Sequence, residues 1–404
     1  MKKAGGWLVF AVGLGLLGVQ SSMGRKAEHP TNSAREQTAE AAGTLDFGGE
    51  PAVTLVRPKE KGTKRAQFLE ATVLPGFGMN LLELKAYLPG KGEVNVIDSP
   101  SLGDAKRILE QENDEFSNKN FQMGGAILLP YPNRIRGKLS ADGKTIETTI
   151  GGHLISLPAN WEGKKPGAER HAMHGLILDA KFQDVKAANE AGESKVSASY
   201  DAGNFGGHWL SKTDVAVEMI LKDEALDILV TTKNVGNEAL PMAIGFHPYF
   251  AIPSGDRTQA KLHVPADERA LVTNYDDVFP TGQIVPVKGT PYDFTSASGA
   301  DLGALFMDDC FTDLKRNAKG EATIELTDPA AHYGVRILTL SPHIKAVQVY
   351  APPDKNFVAI EPQFNLADPF NTKIWGKTDT GMVYLQPGQS VTWHIRLEVF
   401  ATGR

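Results

Sequence analysis

From Leu45 to the C-terminus, short apolar or alternating runs are separated by Gly, Pro, Asn and Asp. Ala71–Leu74, Leu81–Leu88, Ala126–Leu129, Thr145–Ile150 and Val196–Tyr200 each read as a strand, because alternation and β-branched content favour a pleated, half-buried surface. Val215–Leu221 and Leu226–Thr232 read the same way, and the polar Lys222-Asp223-Glu224-Ala225 between them predicts a hairpin. Later runs are Ala322–Thr327, Tyr333–Leu340, Ala346–Tyr350, Val358–Ile360, Met382–Leu385 and Val391–Val399. The best helix candidate is Asp104–Glu112, following Ser101 and carrying Ile108 and Leu109. So many closely spaced strands with so little helix predict an all-β fold, a large antiparallel β-sandwich forming one domain over residues 45–404.

The first residues have a different pattern. Lys2 and Lys3 precede an apolar run from Trp7 to Val19, followed by Ser21, Ser22 and Gly24. A basic start, a run too short for an ordinary membrane span and small residues after it predict a secretory signal over residues 1–24. Cleavage is expected at Ser22-Met23-Gly24, the other reading being an uncleaved anchor. Residues 25–44 are polar and aperiodic, which predicts a flexible leader. The expectation is an exported protein, periplasmic or extracellular, without stable membrane association after cleavage. Its single cysteine, Cys310, has no internal disulfide partner, so stability must come from the core.

Composition is globular, with 41% hydrophobic and 22% charged residues among 404. A net charge of −6 without a Lys/Arg block argues against nucleic acid or an anionic membrane as partner.

Candidate chemistry lies in a few stretches. Ile244–Phe250 reads I-G-F-H-P-Y-F and holds His247 between aromatics and just before Pro248. Histidine can give and take a proton near neutral pH, although a structural histidine ending a strand is the plainer reading. Phe357–Gln363 reads F-V-A-I-E-P-Q and places Glu361 at a strand end, where Pro362 is expected to stop the ladder. A desolvated carboxylate there would have a raised pKa and could serve as a base; the alternative is a glutamate facing water. Asn133 and Arg134 follow an apolar strand in a Pro-flanked turn and offer donors and an acceptor suited to hydroxyls, or an ordinary turn.

His171-Ala172-Met173-His174-Gly175 has two histidines three apart but no accompanying ligand cluster at metal spacing, so no metal is expected. His174 before Gly175 reads as a polar group presented to a cleft where backbones approach closely. Asp308 and Asp309 in F-M-D-D-C-F either bind polyol hydroxyls or cap a turn. Trp161, Trp209 and Trp375 are each a sugar-stacking platform or a core residue.

Taken in order, these stretches resemble the aldose 1-epimerase (galactose mutarotase) family: Asn133-Arg134-Ile135, His174-Gly175, Gly245-Phe246-His247-Pro248-Tyr249-Phe250, Asp308-Asp309-Cys310-Phe311, Glu361-Pro362 and Leu385-Gln386-Pro387-Gly388-Gln389. The resemblance covers about Leu45 to Phe400 and implies a large β-sandwich with a sugar held in an open cleft. It also implies that Glu361 takes the anomeric hydroxyl proton and His247 protonates the ring oxygen, assisted by His174. Arg134 and Asp308, with Asp309 as a second candidate, would hold hydroxyls, and Asn133 would support the turn. No cofactor is implied; the partner is a free monosaccharide and the expected state a monomer or weak dimer. Two departures touch the hydroxyl-binding side: Leu176 follows His174-Gly175 where a second glycine is usual, and Asp308-Asp309 replaces the common Asp-His.

Three other functions compete. An epimerase of hexose 6-phosphates would need more cations than Arg134, Arg136 and Lys138. A glycoside hydrolase would pair Glu361 with Asp308 and leave both histidines without a role. A non-catalytic carbohydrate-binding protein would use the same fold without the chemistry.

Overall fold

The computed structural model describes residues 45–111, 114–163 and 165–403. The expected signal and leader, residues 1–24 and 25–44, lie outside them. Among the described residues, no helix is long and apolar enough to cross a membrane.

Two large antiparallel sheets carry the sandwich. A nine-stranded sheet contains the expected hairpin, Thr213–Leu221 with Ala225–Asn234, and the C-terminal strand Ser390–Ala401 pairs between Ala225–Asn234 and Tyr333–Thr339. A seven-stranded sheet runs in the order Pro280–Pro286, Ala266–Val272, Met307–Leu314, Ala346–Ala351, Phe357–Gln363, Gly245–Ala251 and Gly125–Leu128. Phe246 of this sheet meets Trp393 of the other, ring centroids 6.1 Å apart, inside one continuous core. The helix spans Leu102–Leu109, beginning before Asp104 because the Ser101 side chain caps it by accepting the Asp104 N–H.

Successive side chains on a strand point to opposite faces. In Gly245–Ala251, Phe246 and Phe250 enter the core while His247 and Tyr249 share the other face, rings 4.9 Å apart. In Phe357–Gln363, Val358 and Ile360 enter the core and Glu361 faces outward beside Gln348 of the next strand.

Two expectations are corrected here. Glu361 does not end its strand, and Pro362 does not stop the ladder, since Pro362 pairs with Val347 inside it. The explanation lies on the other side. The strands bearing His247 and Glu361 are paired at Gly245–Gln363 and at Tyr249–Ala359 but not between, so both Pro248 and Pro362 sit where the ladder is already open. Likewise Asp308 and Asp309 do not cap a turn; they lie within the strand Met307–Leu314. The strand Gln183–Asn189 escaped the sequence pattern because every residue of it is exposed.

Candidate active site

The outward faces of the central strands floor a cavity of about 300 Å³. Glu361, His247, His174, Arg134, Asn133 and Asp308 all line it, joined by Gln348 and by the rings of Phe121, Trp161, Tyr249, Tyr275, Phe306 and Tyr350. A mostly preformed, aromatic-walled hollow with a few convergent polar groups fits a small polar ligand.

Two groups stand together at its base. His247 Nε2 lies 3.3 Å from Glu361 Oε1, with both side chains almost fully buried. Burial lifts the Glu361 carboxyl well above the ordinary carboxylate range; neighbouring Asp308 pushes the same way and Arg134 opposes it. Burial also lowers the His247 imidazole to about 4, with Arg134 adding to the effect. Glu361 Oε2 is buried and meets no hydrogen-bond partner among the described residues.

His174 stands edge-on to His247, ring centroids 5.0 Å apart, and packs on Phe121 at 4.7 Å. Its backbone is left-handed (φ 61°), as is that of Asn133 (φ 64°), and the two residues lock together. The His174 N–H donates to the Asn133 carbonyl at 2.9 Å, and the Asn133 N–H points at His174 Nδ1 at 3.4 Å. Gly175 completes this turn at φ 83°, where a Cβ would stand 2.2 Å from the Leu129 carbonyl oxygen. The close backbone approach expected at Gly175 is therefore present.

The ligand atoms of His174, His247 and Glu361 lie within 4.8 Å of one another, the spacing of a conceivable metal site. The Asn133 amide decides the chemistry. By facing Nδ1 it leaves the His174 proton on Nε2, which makes that nitrogen a donor and not a ligand. Burial, with His247 next, holds His174 well below its usual pKa, hence neutral.

Beside this trio the polar groups form a closed ring. Arg134 Nη1 donates to Asn133 Oδ1 at 3.0 Å, and Asn133 Nδ2 donates to Gln348 Oε1 at 3.1 Å. Gln348 Nε2 donates to Asp308 Oδ1 at 2.6 Å, and Asp308 Oδ2 returns to Arg134 at 3.6 Å. Gln348 was not singled out from the sequence. Its signal was an amide on the polar face of A-V-Q-V-Y, alternating with buried Val347 and Val349, where a side chain so deeply buried demands partners.

The segment after Glu361 holds this ring in place. Asn365 Nδ2 donates to the Pro132 carbonyl at 3.1 Å, the Asp368 N–H to the Arg134 carbonyl at 2.6 Å, and Asp368 Oδ1 accepts the Arg136 N–H at 3.0 Å.

Other candidates fall elsewhere. Asp309 does not line the cavity: strand alternation turns it to the opposite face, where it pairs with Arg269 and Tyr275. His171 is fully buried against Phe279. Trp161 lines the cavity, whereas Trp209 stacks on Tyr131 and Trp375 donates to the Ala367 carbonyl in the core.

The aldose 1-epimerase family model matches residues 99–398. Among solved structures, the chain is similar to a galactose mutarotase-like protein from Clostridium acetobutylicum, at 19% identity and TM-score 0.66 over 87% of this chain and 98% of that one. It is similar to the aldose epimerase homologue from C. elegans at 18% identity and TM-score 0.62, over 87% and 100%. A galactose 1-epimerase from Lactobacillus acidophilus shares the fold at 16% identity and TM-score 0.57, over 87% and 99%. With the family match spanning most of the sequence and the fold common to these structures, the chain belongs to the aldose 1-epimerase family.

Proposed function

We propose that the protein is an isomerase that interconverts the α and β anomers of free aldohexoses such as galactose or glucose. The observation that carries this reading is the buried His247–Glu361 pair, 3.3 Å apart, at the base of a cavity ringed by hydroxyl-binding groups. Glu361 takes the proton of the anomeric hydroxyl while His247 gives one to the ring oxygen. The C1–O5 bond breaks and C1 becomes a carbonyl. Rotation about C1–C2 and closure on the other carbonyl face return both protons and give the other anomer. His174, neutral with its proton on Nε2, donates toward the same oxygen. Arg134, Asn133, Gln348 and Asp308 hold the remaining hydroxyls. No electrons change hands and no water is added, so the chemistry asks for no cofactor.

Charge in the cavity disfavours a phosphorylated sugar. Beside the neutral Glu361–His247 pair its lining has three carboxylates, Glu162, Asp276 and Asp308, against the cation Arg134. Arg136 is engaged with Glu169 and stacks over Phe279, and Lys138 is exposed. Such a balance repels a dianion. A monomer or weak dimer is part of this reading. With the expected signal, the reaction would occur outside the cytoplasm.

Polarimetry on residues 45–404 with freshly dissolved α-galactose and α-glucose tests the reading. Equilibration faster than the spontaneous rate, abolished by Glu361→Gln, is expected. A parent that binds sugar without speeding equilibration would favour the non-catalytic carbohydrate-binding function instead.

A further inference from the structure

The departure at Asp308-Asp309 leads to a second group of residues. Asp309, with no exposed surface, forms an ion pair with Arg269 and accepts the Tyr275 hydroxyl proton at 2.8 Å. The Arg269 guanidinium lies 3.6 Å over the Tyr292 ring, and the Tyr292 and Tyr275 hydroxyls are 2.9 Å apart. Four side chains thus close a strut whose free end is Tyr275. Its ring is set edge-on to Phe306 at 5.0 Å, and both line the cavity.

Tyr275 belongs to the connection between Ala266–Val272 and Pro280–Pro286, which would otherwise be a solvent-facing loop. Asn274 shapes it, its side chain accepting the Asp276 and Asp277 N–H groups. The sheet order then serves as a ruler. From the His247 strand, Glu361, Gln348 and Asp308 lie one, two and three strands away, and the strand leading to Tyr275 is the fourth. At roughly 4.8 Å per strand, Tyr275 enters from the end of the cavity opposite the proton-transfer pair.

Accepting the mutarotase reading, on which this step rests, a pyranose with C1 and the ring oxygen at His247 and Glu361 directs C4 toward that far end. We propose that Tyr275 is a specificity-determining wall that reads the configuration at C4, and that Asp309 is the positioning residue that fixes it. The hydroxyl of Tyr275 is committed to Asp309 and Tyr292, so the ring face is what meets the sugar. Aromatic faces favour the C–H side of a pyranose over its hydroxyl side, which makes an axial and an equatorial 4-hydroxyl unequal.

Sugar affinity, followed by tryptophan fluorescence because Trp161 lines the cavity, tests the proposal without requiring turnover. Galactose and glucose differ only at C4; glucose and 2-deoxyglucose differ beside the reacting end. In Tyr275→Ala the galactose-to-glucose affinity ratio is expected to move toward one by at least about fivefold, within the worth of one ring contact. The glucose-to-2-deoxyglucose ratio is expected to hold. Asp309→Asn and Tyr275→Phe should each shift the C4 ratio the same way, and the double variant no further than either. Thermal melts identify any variant that fails to fold, leaving the surface-loop change Tyr275→Phe to decide.

An unchanged C4 ratio, an equal loss for all three sugars, or a parent that binds both hexoses alike overturns the proposal. A parent that binds none of them overturns it together with the mutarotase reading. Turnover by the parent with an unchanged ratio overturns it alone.

Discussion

His247 and Glu361 stand 3.3 Å apart on neighbouring strands whose ladder is open between them. Burial disfavours the charge on each, so together they hold one proton and no net charge. Moving that proton across the short gap from Glu361 to His247 turns a neutral pair into a base and an acid without adding charge to the cavity. Arg134 acts on both partners, lowering the Glu361 pKa, which favours that transfer, and the His247 pKa, which opposes it.

A broad pH–rate profile follows. A second proton must enter a buried site, and His247 is lowered to about 4, so kcat/KM should fall on the acid side near pH 4 and not near 6.5. Loss of the last proton is resisted by the raised Glu361, which extends the plateau above the ordinary carboxylate range. Stopped-flow polarimetry across pH 3–9 checks this, and an acid limb near 6.5 would show a solvated imidazole.

Stability should respond to Glu361 in a defined sense. Its folded pKa is raised, so its contribution is full below the unfolded value of 4.5 and is lost as pH rises through the folded pKa. Glu361→Gln removes that loss. Relative to the parent, the variant's Tm is therefore expected to climb from pH 4 to pH 8, even as activity disappears. Melting curves at both pH values decide; a variant advantage largest at pH 4 would contradict the burial argument.

His247→Asn should lower kcat by at least about 100-fold, the usual worth of a positioned proton donor. Single-turnover polarimetry measures it, and a much smaller loss would leave His247 a positioning role only.

Gln348→Ala opens the ring of polar groups, leaving Asn133 Nδ2 and Asp308 Oδ1 each short of a partner. Sugar affinity should drop about tenfold, on the order of one lost hydrogen bond in a desolvated site. Isothermal titration with galactose reports it directly.

Gly175→Ala and Gly90→Ala make a matched pair, with φ of 83° and 84°. The new methyl at 175 meets the Leu129 carbonyl, whereas at 90 nothing lies within 4 Å. The first should cost at least about 2 kcal/mol more than the second in urea unfolding. Equal midpoints would mean that the backbone at Leu129 gives way freely.

Much of the sandwich was legible in the sequence because alternating apolar positions mark strands with one face buried. Val215–Leu221 and Thr145–Ile150 show this well. Gln183–Asn189 was illegible because neither face is buried. At the site, His247 and Glu361 stood out because a titratable group in an apolar run demands a reason. Their partnership was not visible, since His247 and Glu361 are 114 positions apart on strands that meet only in the sheet. Pro362 misled for a related reason: a proline ends a ladder only where its missing N–H would have been used, and here that side was already open. Resemblance alone favours Asp308 over Asp309, and the physical reason is the strand's alternation, which sends Asp308 to the cavity and Asp309 to the opposite face.

The chain leaving the Glu361 strand turns back at once to grip Pro132, Arg134 and Arg136 through Asn365 and Asp368. For anyone reshaping this protein, that splice makes residues 363–371 the poorest place for an insertion or a grafted loop, since a shift there would displace Glu361 and Arg134 together. Residues 273–279 are held mainly by side chains, the Tyr275 strut and Phe279 packed against His171 and Arg136, and their exposed positions are where sequence diversity should be introduced when a library for new sugars is built.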